Sequence, residues 1–323
     1  MGHLLNGSWT MDDVLKEIQD GYYVKQPSRF RNFITADGSS GFKAEAGRYI
    51  LYSSVGCPWA HRAELFRMLK KLDGMIAITD TSQSPDRHGW WFGGEGHHVP
   101  GSDREVRYLH EVYTLADPDY TGRVTVPTLW DIERQTIVSN ESSEIIRMFN
   151  SEFAEIAEPT PDYYPADLAA EIDVMNERVL TGVNNGVNRT GRSTTQEAYE
   201  ESFELLFATL DELEALLGKQ RYLCGERQTE ADWRFYPNLI PFDSVYYVGY
   251  KCNKRRIEDY PNLSNYLREM YQTPGISDVS DVDGMKRNSF DIAGPIGANG
   301  IIPKGPELGL TRPHDRDRLK AAA

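Results

Sequence analysis

Cysteine is scarce in this chain: Cys57, Cys224 and Cys252 are the three in 323 residues. They are too few and too scattered for a disulfide framework, so a reducing cytoplasm is the expected compartment. Positive charge is in deficit as well, with 35 Lys and Arg against 49 Asp and Glu and a formal net charge of −14. A nucleic-acid backbone needs a basic surface, so that class of partner is excluded. An anionic small ligand must then be held by local positive charge against the average field. No apolar run approaches the length of a membrane span. The start, Met1 to Trp9, has no apolar core of the kind a secretion signal carries. What remains is a soluble, globular composition, 40% hydrophobic and 26% charged, long enough for one large domain or two ordinary ones.

One of the cysteines sits in an informative place. Arg48 to Tyr52 is a short β-type run, Ser53 to Gly56 reads as a tight turn, and Ala63 to Lys70 has helical spacing at Leu65, Phe66 and Leu69. Pro58 suits the first helical position, where its missing N–H costs nothing. Cys57 therefore falls at a helix N-terminus, where unpaired N–H groups and the helix dipole favour a thiolate. Ala60 stands where a redox Cys-x-x-Cys pair would have its second cysteine, so an external thiol must resolve whatever Cys57 attacks. The plain alternative is a small buried core residue; Cys-Pro between a strand and a helix favours the reactive reading.

Residues 1 to 45 read as an extension, with an amphipathic piece at Met11 to Ile18 and enough aromatics (Tyr22, Tyr23, Phe30, Phe33) to pack on the body. From 46 to 155 the order is strand, helix, strand (Met75 to Thr79), hairpin (Val124 to Trp130 with Gln135 to Val138), helix from Asn140: a thioredoxin-like, α/β arrangement. Asp80 to Ser102, rich in Gly, Pro, Asp and Ser, reads as a long irregular segment, and such loops are often functional. Pro127 belongs at an edge, at a bulge or in a cis peptide before its strand. Prolines 159, 161 and 165 mark a linker. From 165 to 323 the pattern is all-helical. One helix covers Ala166 to Val183, and another is a long amphipathic one carrying Tyr199, Phe203, Leu206, Phe207, Leu210, Leu213 and Leu217. Thr229 and Asp232 form a capping signature for a further helix. The Gly- and Pro-rich tail, 294 to 306, is expected to lie extended over the surface. His97, His98 and His110 have no Cys or acid at ligand spacing, so no metal is expected. His61 is expected to face away from the sulfur or pack on the sheet.

Four blocks, Cys57 to Arg62, Gly122 to Pro127, Asn140 to Arg147 and Thr229 to Trp233, together resemble the Xi class of glutathione transferases, the glutathionyl-hydroquinone reductases. Asn184 to Val187, Lys251 to Arg256, Asp259 to Leu263 and Tyr271 to Gly275 are similar to the same family, so the likeness spans roughly residues 22 to 306. The resemblance implies a thioredoxin-like domain joined to an all-α domain, in a homodimer that binds glutathione as co-substrate. It implies Cys57 as the nucleophile, and Trp90, Arg123, Val126, Glu141 and Ser142 as the glutathione contacts. Each contact has a physical logic. Val126 can offer backbone N–H and C=O as a strand edge would. Glu141 can accept from the γ-glutamyl ammonium, Ser142 and the helix N-terminus can bind its carboxylate, and Arg123 can pair with a carboxylate.

The implied reaction removes glutathione from an S-glutathionyl hydroquinone through a Cys57–glutathione mixed disulfide, which a second glutathione resolves. On the aromatic-substrate side the chain departs from the family's usual pattern. Asn188 replaces a Tyr, Gly249 a His, and Gly284 to Phe290 a stretch richer in His and Tyr. These changes remove hydroxyl and imidazole groups able to bond a phenolate, while Tyr246, Tyr247 and Tyr250 can still form an aromatic wall, with buried helix packing the expected use of at least one of them. Two rival readings stand beside the reductase: a transferase or lyase acting on another glutathione conjugate with the same cysteine, and a non-catalytic binding module that kept the fold.

Overall fold

The computed structural model describes residues 2–12, 15–291, 296 and 299–319. The chain divides into two compact units that interleave in sequence. One comprises Met1–Leu15, Gln26–Pro161 and Arg287–Ile301; the other comprises Lys16–Lys25, Asp162–Lys286 and Ile302–Ala323.

The first unit is built on a four-stranded sheet. Strand β1 (Tyr49–Ser53) runs parallel to β2 (Ile76–Asp80), with Tyr49 opposite Ile76 and Ser53 opposite Asp80. On its other side β1 pairs antiparallel with β3 (Thr128–Asp131), which pairs with β4 (Thr136–Ser139), giving the order β4-β3-β1-β2. All five residues of β1 are buried, as a central strand covered on both faces must be. Helix α1 (Pro58–Leu69) is the crossover from β1 to β2 and packs against α3 (Ser142–Ser151). The Val126–Pro127 peptide is cis, immediately before β3.

Two expectations for this unit need correction. The stretch after Val106 contains a helix, α2 (Leu109–Ala116), which lies against β4. Its N-cap is Tyr108, not a Ser, Thr, Asp or Asn, so the usual start signal is missing. Glu111 supplies the cap from inside, its Oε2 accepting the N–H groups of Arg107 (2.8 Å) and Tyr108 (2.9 Å). The segment from Asp80 to Ser102 is not wholly irregular either. Ser82–Gln83 pairs with Trp90–Trp91, and His97–His98 pairs with Glu105–Val106. Two-residue strands are too short to show a period of two in sequence. Of the Met11 to Ile18 piece, Asp13 and Val14 lie outside the described residues; Ile18 is in a strand, paired with Tyr23.

Among the described residues, the strands of the second unit are the small Ile18–Gln19/Tyr22–Tyr23 ribbon, and its other elements are helices. Helix α4 (Ala169–Val179) runs straight into a π-helical turn, Leu180–Asn184, before α5 (Gly186–Arg192), so the single helix expected over Ala166 to Val183 starts later and widens before its end. Helix α6 (Gln196–Leu217) buries Leu206, Phe207, Leu210, Leu213 and Leu217, the stripe its spacing predicted. Helix α7 (Glu230–Leu239) opens on the expected cap: Thr229 N–H donates to Asp232 Oδ2 at 2.8 Å. The other Asp232 oxygen accepts from Leu223 N–H and the Tyr266 hydroxyl, both at 2.9 Å, so a fully buried carboxylate is satisfied on all sides. A second π-helical turn, Phe242–Tyr246, follows α7. Gly294 and Pro295, at the head of the predicted surface tail, lie outside the described residues. Among the described residues no helix is long and apolar enough to cross a membrane.

Candidate functional site: the thiol at the start of the first helix

The turn after β1 delivers Cys57 to the N-cap of α1. Its N–H donates to the Ser54 carbonyl at 3.0 Å, and its own carbonyl accepts the His61 N–H at 2.9 Å. Backbone angles of −97° and 113° are the extended geometry of an N-cap, and the Cys57 side chain makes no capping bond. The sulfur is half-buried and lies 3.5 Å from the Val126 carbonyl oxygen, within reach of a weak S–H donation. Pro58 occupies the first helical position and no acid stands in the first turn. No acid in the first turn therefore opposes negative charge at the sulfur.

One turn further on, Arg62 is 1% exposed. Its guanidinium lies 4.5 Å from the centre of the Trp59 ring, and Nη1 is 3.5 Å from Ser142 Oγ at the first position of α3. This arginine joins the N-terminal turns of the two helices. His61 is buried. Glu141 is the N-cap of α3; its Oε1 accepts from Ser143 N–H (3.2 Å) and the Ser143 hydroxyl (2.9 Å), and Oε2 from the Ser28 hydroxyl (3.0 Å). Ser142 is buried. Val126 is 3% exposed, and its N–H makes no hydrogen bond among the described residues. Trp90 and Cys57 are both half-buried and pack against one apolar cluster that includes Tyr52, Val126 and Trp130. Arg123 is half-buried in the loop before β3, its carbonyl accepting the Tyr120 hydroxyl at 2.9 Å. Cys57, Trp90, Arg123, Val126, Glu141 and Ser142 thus all belong to the first unit. A thiol, the backbone just ahead of β3, a second helix N-terminus with carboxylate and hydroxyl, and a cation stand on one scaffold.

Comparison with known proteins places this arrangement. The model of the glutathione S-transferase N-terminal domain matches residues 56–152, and that of the C-terminal domain matches residues 196–269. Glutathionyl-hydroquinone reductase YqjG of Escherichia coli is 42% identical over 327 residues, covering 98% of this chain and 99% of its own. Glutathionyl-hydroquinone reductase PcpF of Sphingobium chlorophenolicum is 43% identical, covering 95% and 96%. Among solved structures, a Xi-class transferase from Natrialba magadii matches with TM-score 0.90 at 39% identity, covering 99% of this chain and 98% of its own. The chain belongs to the Xi class of glutathione transferases. The glutathione-bound structure of YqjG also matches, with TM-score 0.83 at 44% identity over 89% of this chain and 96% of its own.

The other predicted residues of this Xi-class chain lie in the helical unit. Asn188 Nδ2 is 3.4 Å from the Asn184 carbonyl. Tyr246 is 5% exposed, and its hydroxyl accepts a long bond (3.5 Å) from Asn238, whose own oxygen accepts from Asn184 at 2.7 Å. A buried polar chain thereby ties one π-helical turn to the other. Tyr250 is 7% exposed and stands edge-on to Tyr246, with ring centres 5.4 Å apart. Its ring lies so close to Gly191 that a Cβ there would sit 1.8 Å from it, and the charge of Arg192 acts on its buried hydroxyl. Tyr247 is more open. Cys224 and Cys252 are buried, and burial pushes the Cys224 thiol up to about 12 and Cys252 upward too. Among the described residues no group of three metal-capable side chains comes together. His97 meets the Tyr52 hydroxyl at 3.1 Å, while His98 pairs with Glu105 at 2.9 Å.

The contacts of two residues were not legible in the sequence. A Cβ on Gly56 would lie 2.0 Å from Asn288 Nδ2, so the Asn288 amide, within the Gly284 to Phe290 stretch expected on the aromatic-substrate side, rests on the backbone next to Cys57. Glu64, two turns into α1, accepts from the Ser53 hydroxyl. Burial, with Asp80 nearby, raises its carboxyl to about 7, against the pull of Ser53 and Arg67.

Proposed function

We propose that the protein is a glutathione-dependent reductase acting on S-glutathionyl hydroquinone-type aromatic conjugates. The Cys57 thiolate attacks the glutathionyl sulfur, forming a disulfide with it. The carbon–sulfur bond breaks and its electron pair stays with the ring carbon, which takes a proton to give the free hydroquinone. Glutathione thiolate then attacks the mixed disulfide, releasing glutathione disulfide and restoring Cys57. Sulfur is oxidised and the ring carbon reduced, and glutathione supplies the reducing equivalents. The observation that carries this reading is a half-buried thiol at the N-cap of α1 with Ala60, not a second cysteine, one turn on. Relatives named glutathionyl-hydroquinone reductases support it.

Glutathione is held by the backbone of Val126, by Glu141 and Ser142 at the start of α3, by Arg123 and by Trp90. Asn188 and Tyr247, both half-buried, line the aromatic side, while Tyr246 and Tyr250 are buried in the helical unit. The enzyme works as a cytoplasmic homodimer. A second reading, a transferase or lyase on another conjugate, is favoured by the burial of Tyr246 and Tyr250, which withdraws two of the expected phenol-binding groups.

Intact-mass measurement after adding glutathionyl-menadione without free glutathione tests the first step. The expected product carries one glutathionyl group on Cys57, released by added glutathione. No adduct, with turnover intact, sinks the covalent mechanism. An adduct forming only with a non-quinone conjugate selects the second reading.

A further inference from the structure

The first ten residues take no part in the chemistry above, yet they touch two of the segments proposed to hold glutathione. His3–Leu5 and Ser8–Thr10 form an antiparallel hairpin in which Leu4 faces Trp9. On its other edge Leu4 pairs with Gly122: Leu4 N–H donates to Gly122 O at 3.0 Å and Gly122 N–H to Leu4 O at 2.9 Å. Gly7 N–H adds a bond to Tyr120 O (3.0 Å), and Asn6 N–H one to Thr121 Oγ1 (2.8 Å). Leu4 is fully buried in the apolar cluster that also holds Tyr120, Val124 and Val126. Gly122 directly precedes Arg123. One end of the hairpin is therefore bonded into the loop that carries Arg123 and Val126.

The other end reaches the Trp90 segment. The Trp9 ring stacks on His110 at 4.8 Å and meets His88 at 6.4 Å. A Cβ on Gly89 would lie 2.7 Å from Trp9 Cη2, and one on Gly2 2.5 Å from Trp9 Cζ2. Gly89 holds φ of +84°, a conformation that favours glycine, and directly precedes Trp90. His110 stacks in turn on Tyr108 at 5.2 Å, and the Tyr108 hydroxyl donates to Asp86 in the same turn as His88. Gly122, Leu4 and Trp9 are thus three adjacent strand positions, and Trp9 bears on Gly89. Neighbouring strands keep a fixed spacing near 4.8 Å, so this stack sets the distance between the loop of Arg123 and the strand of Trp90.

We infer that the N-terminal hairpin is a positioning clip for glutathione, with Trp9 as its key side chain, spacing Trp90 from Arg123 and Val126. The inference rests on the assignment of those three residues to glutathione. It predicts that Trp9 governs glutathione affinity without touching the reacting sulfur.

The test compares the full chain with Trp9→Ala and Trp9→Phe. Glutathione affinity is read by calorimetry, and the iodoacetamide alkylation rate of Cys57 in the absence of glutathione serves as a readout that glutathione positioning does not move. Trp9→Ala should raise the Kd for glutathione about tenfold, equivalent to ~1.4 kcal/mol, and leave the alkylation rate within a factor of about two. Trp9→Phe keeps an aromatic ring at the position and vacates the contacts with Gly89 and Gly2, so a loss of about two- to threefold is expected. Unchanged affinity in Trp9→Ala overturns the clip, as does a parallel loss of alkylation, which would make the hairpin a general support of the domain. Should Trp9→Ala not fold, Trp9→Phe decides: wild-type affinity in it overturns the proposal. A wild-type chain that binds no glutathione removes the glutathione assignment itself, and the clip with it.

Discussion

The surroundings of Cys57 and those of Tyr246 handle polar groups in opposite ways. Around Cys57 the groups proposed for a ligand are largely backbone ones: the start of α1, the start of α3 and the peptide at Val126, just before β3. The sulfur stays half-exposed beside them. Around Tyr246 the polar atoms are side chains, and they are spent on one another along Asn184, Asn238 and Tyr246. The first arrangement leaves binding capacity facing outward; the second converts it into internal order. A ligand site needs the former, and a helical scaffold with two widened turns needs the latter.

The sharpest way to break that contrast is at the sulfur. Cys57→Ala is expected to lower deglutathionylation by at least about a thousandfold, because no other group supplies the nucleophile; glutathione disulfide release from a conjugate measures it, and near-normal turnover refutes the mechanism. A related count is available in the wild type, where one equivalent of thiol reagent should react rapidly, since burial holds Cys224 and Cys252 as thiols. In the helical unit, Asp232→Ala should cost about 3 kcal/mol in urea unfolding, since Leu223 N–H, Thr229 N–H and the Tyr266 hydroxyl lose their buried acceptor.

A smaller effect sets the two regions apart by pH. The Glu64 carboxyl is raised from 4.5 to about 7 in the folded chain. The folded state therefore keeps a proton that the unfolded state has released. Stability is full below pH 4.5 and falls as pH rises through 7. Glu64→Gln should flatten that decline and gain about 1–2 kcal/mol at pH 8, discounted for partial exposure; equal slopes for variant and wild type would refute the assignment. Smallest of all, Tyr246→Phe loses the long 3.5 Å bond from Asn238 and should shift stability by about 1 kcal/mol. A tenfold loss of turnover without that shift would place the Tyr246 hydroxyl on the substrate.

The contrast also explains what could be read from the residues alone. Cys57-Pro58 and Thr229 with Asp232 were legible because each is a short motif whose meaning is local: a helix start is set by a few consecutive residues. Helix α2 was not, because Tyr108 occupies its cap and the capping carboxylate, Glu111, lies inside. The strands at Trp90 and His97 are too short to show alternation. Asn288 over Gly56 and Trp9 over Gly89 are contacts between residues far apart in sequence, which no spacing encodes. The glutathione contacts came from family likeness; the residues by themselves fit ordinary caps and core positions equally well.

The π-helical turns carry a consequence for descent. Each accommodates one residue more than an α-helical path needs, so the helix beyond it keeps its facing although the chain is one residue longer. Deleting a single residue between Leu180 and Asn184 would let the turn close as α-helix and leave Val187 and Thr190, both now interior, on the same side of their helix. The same deletion inside α6 would swing every later residue by about 100°, so copies of this chain can lose a residue at a wide turn where they cannot lose one in a regular helix.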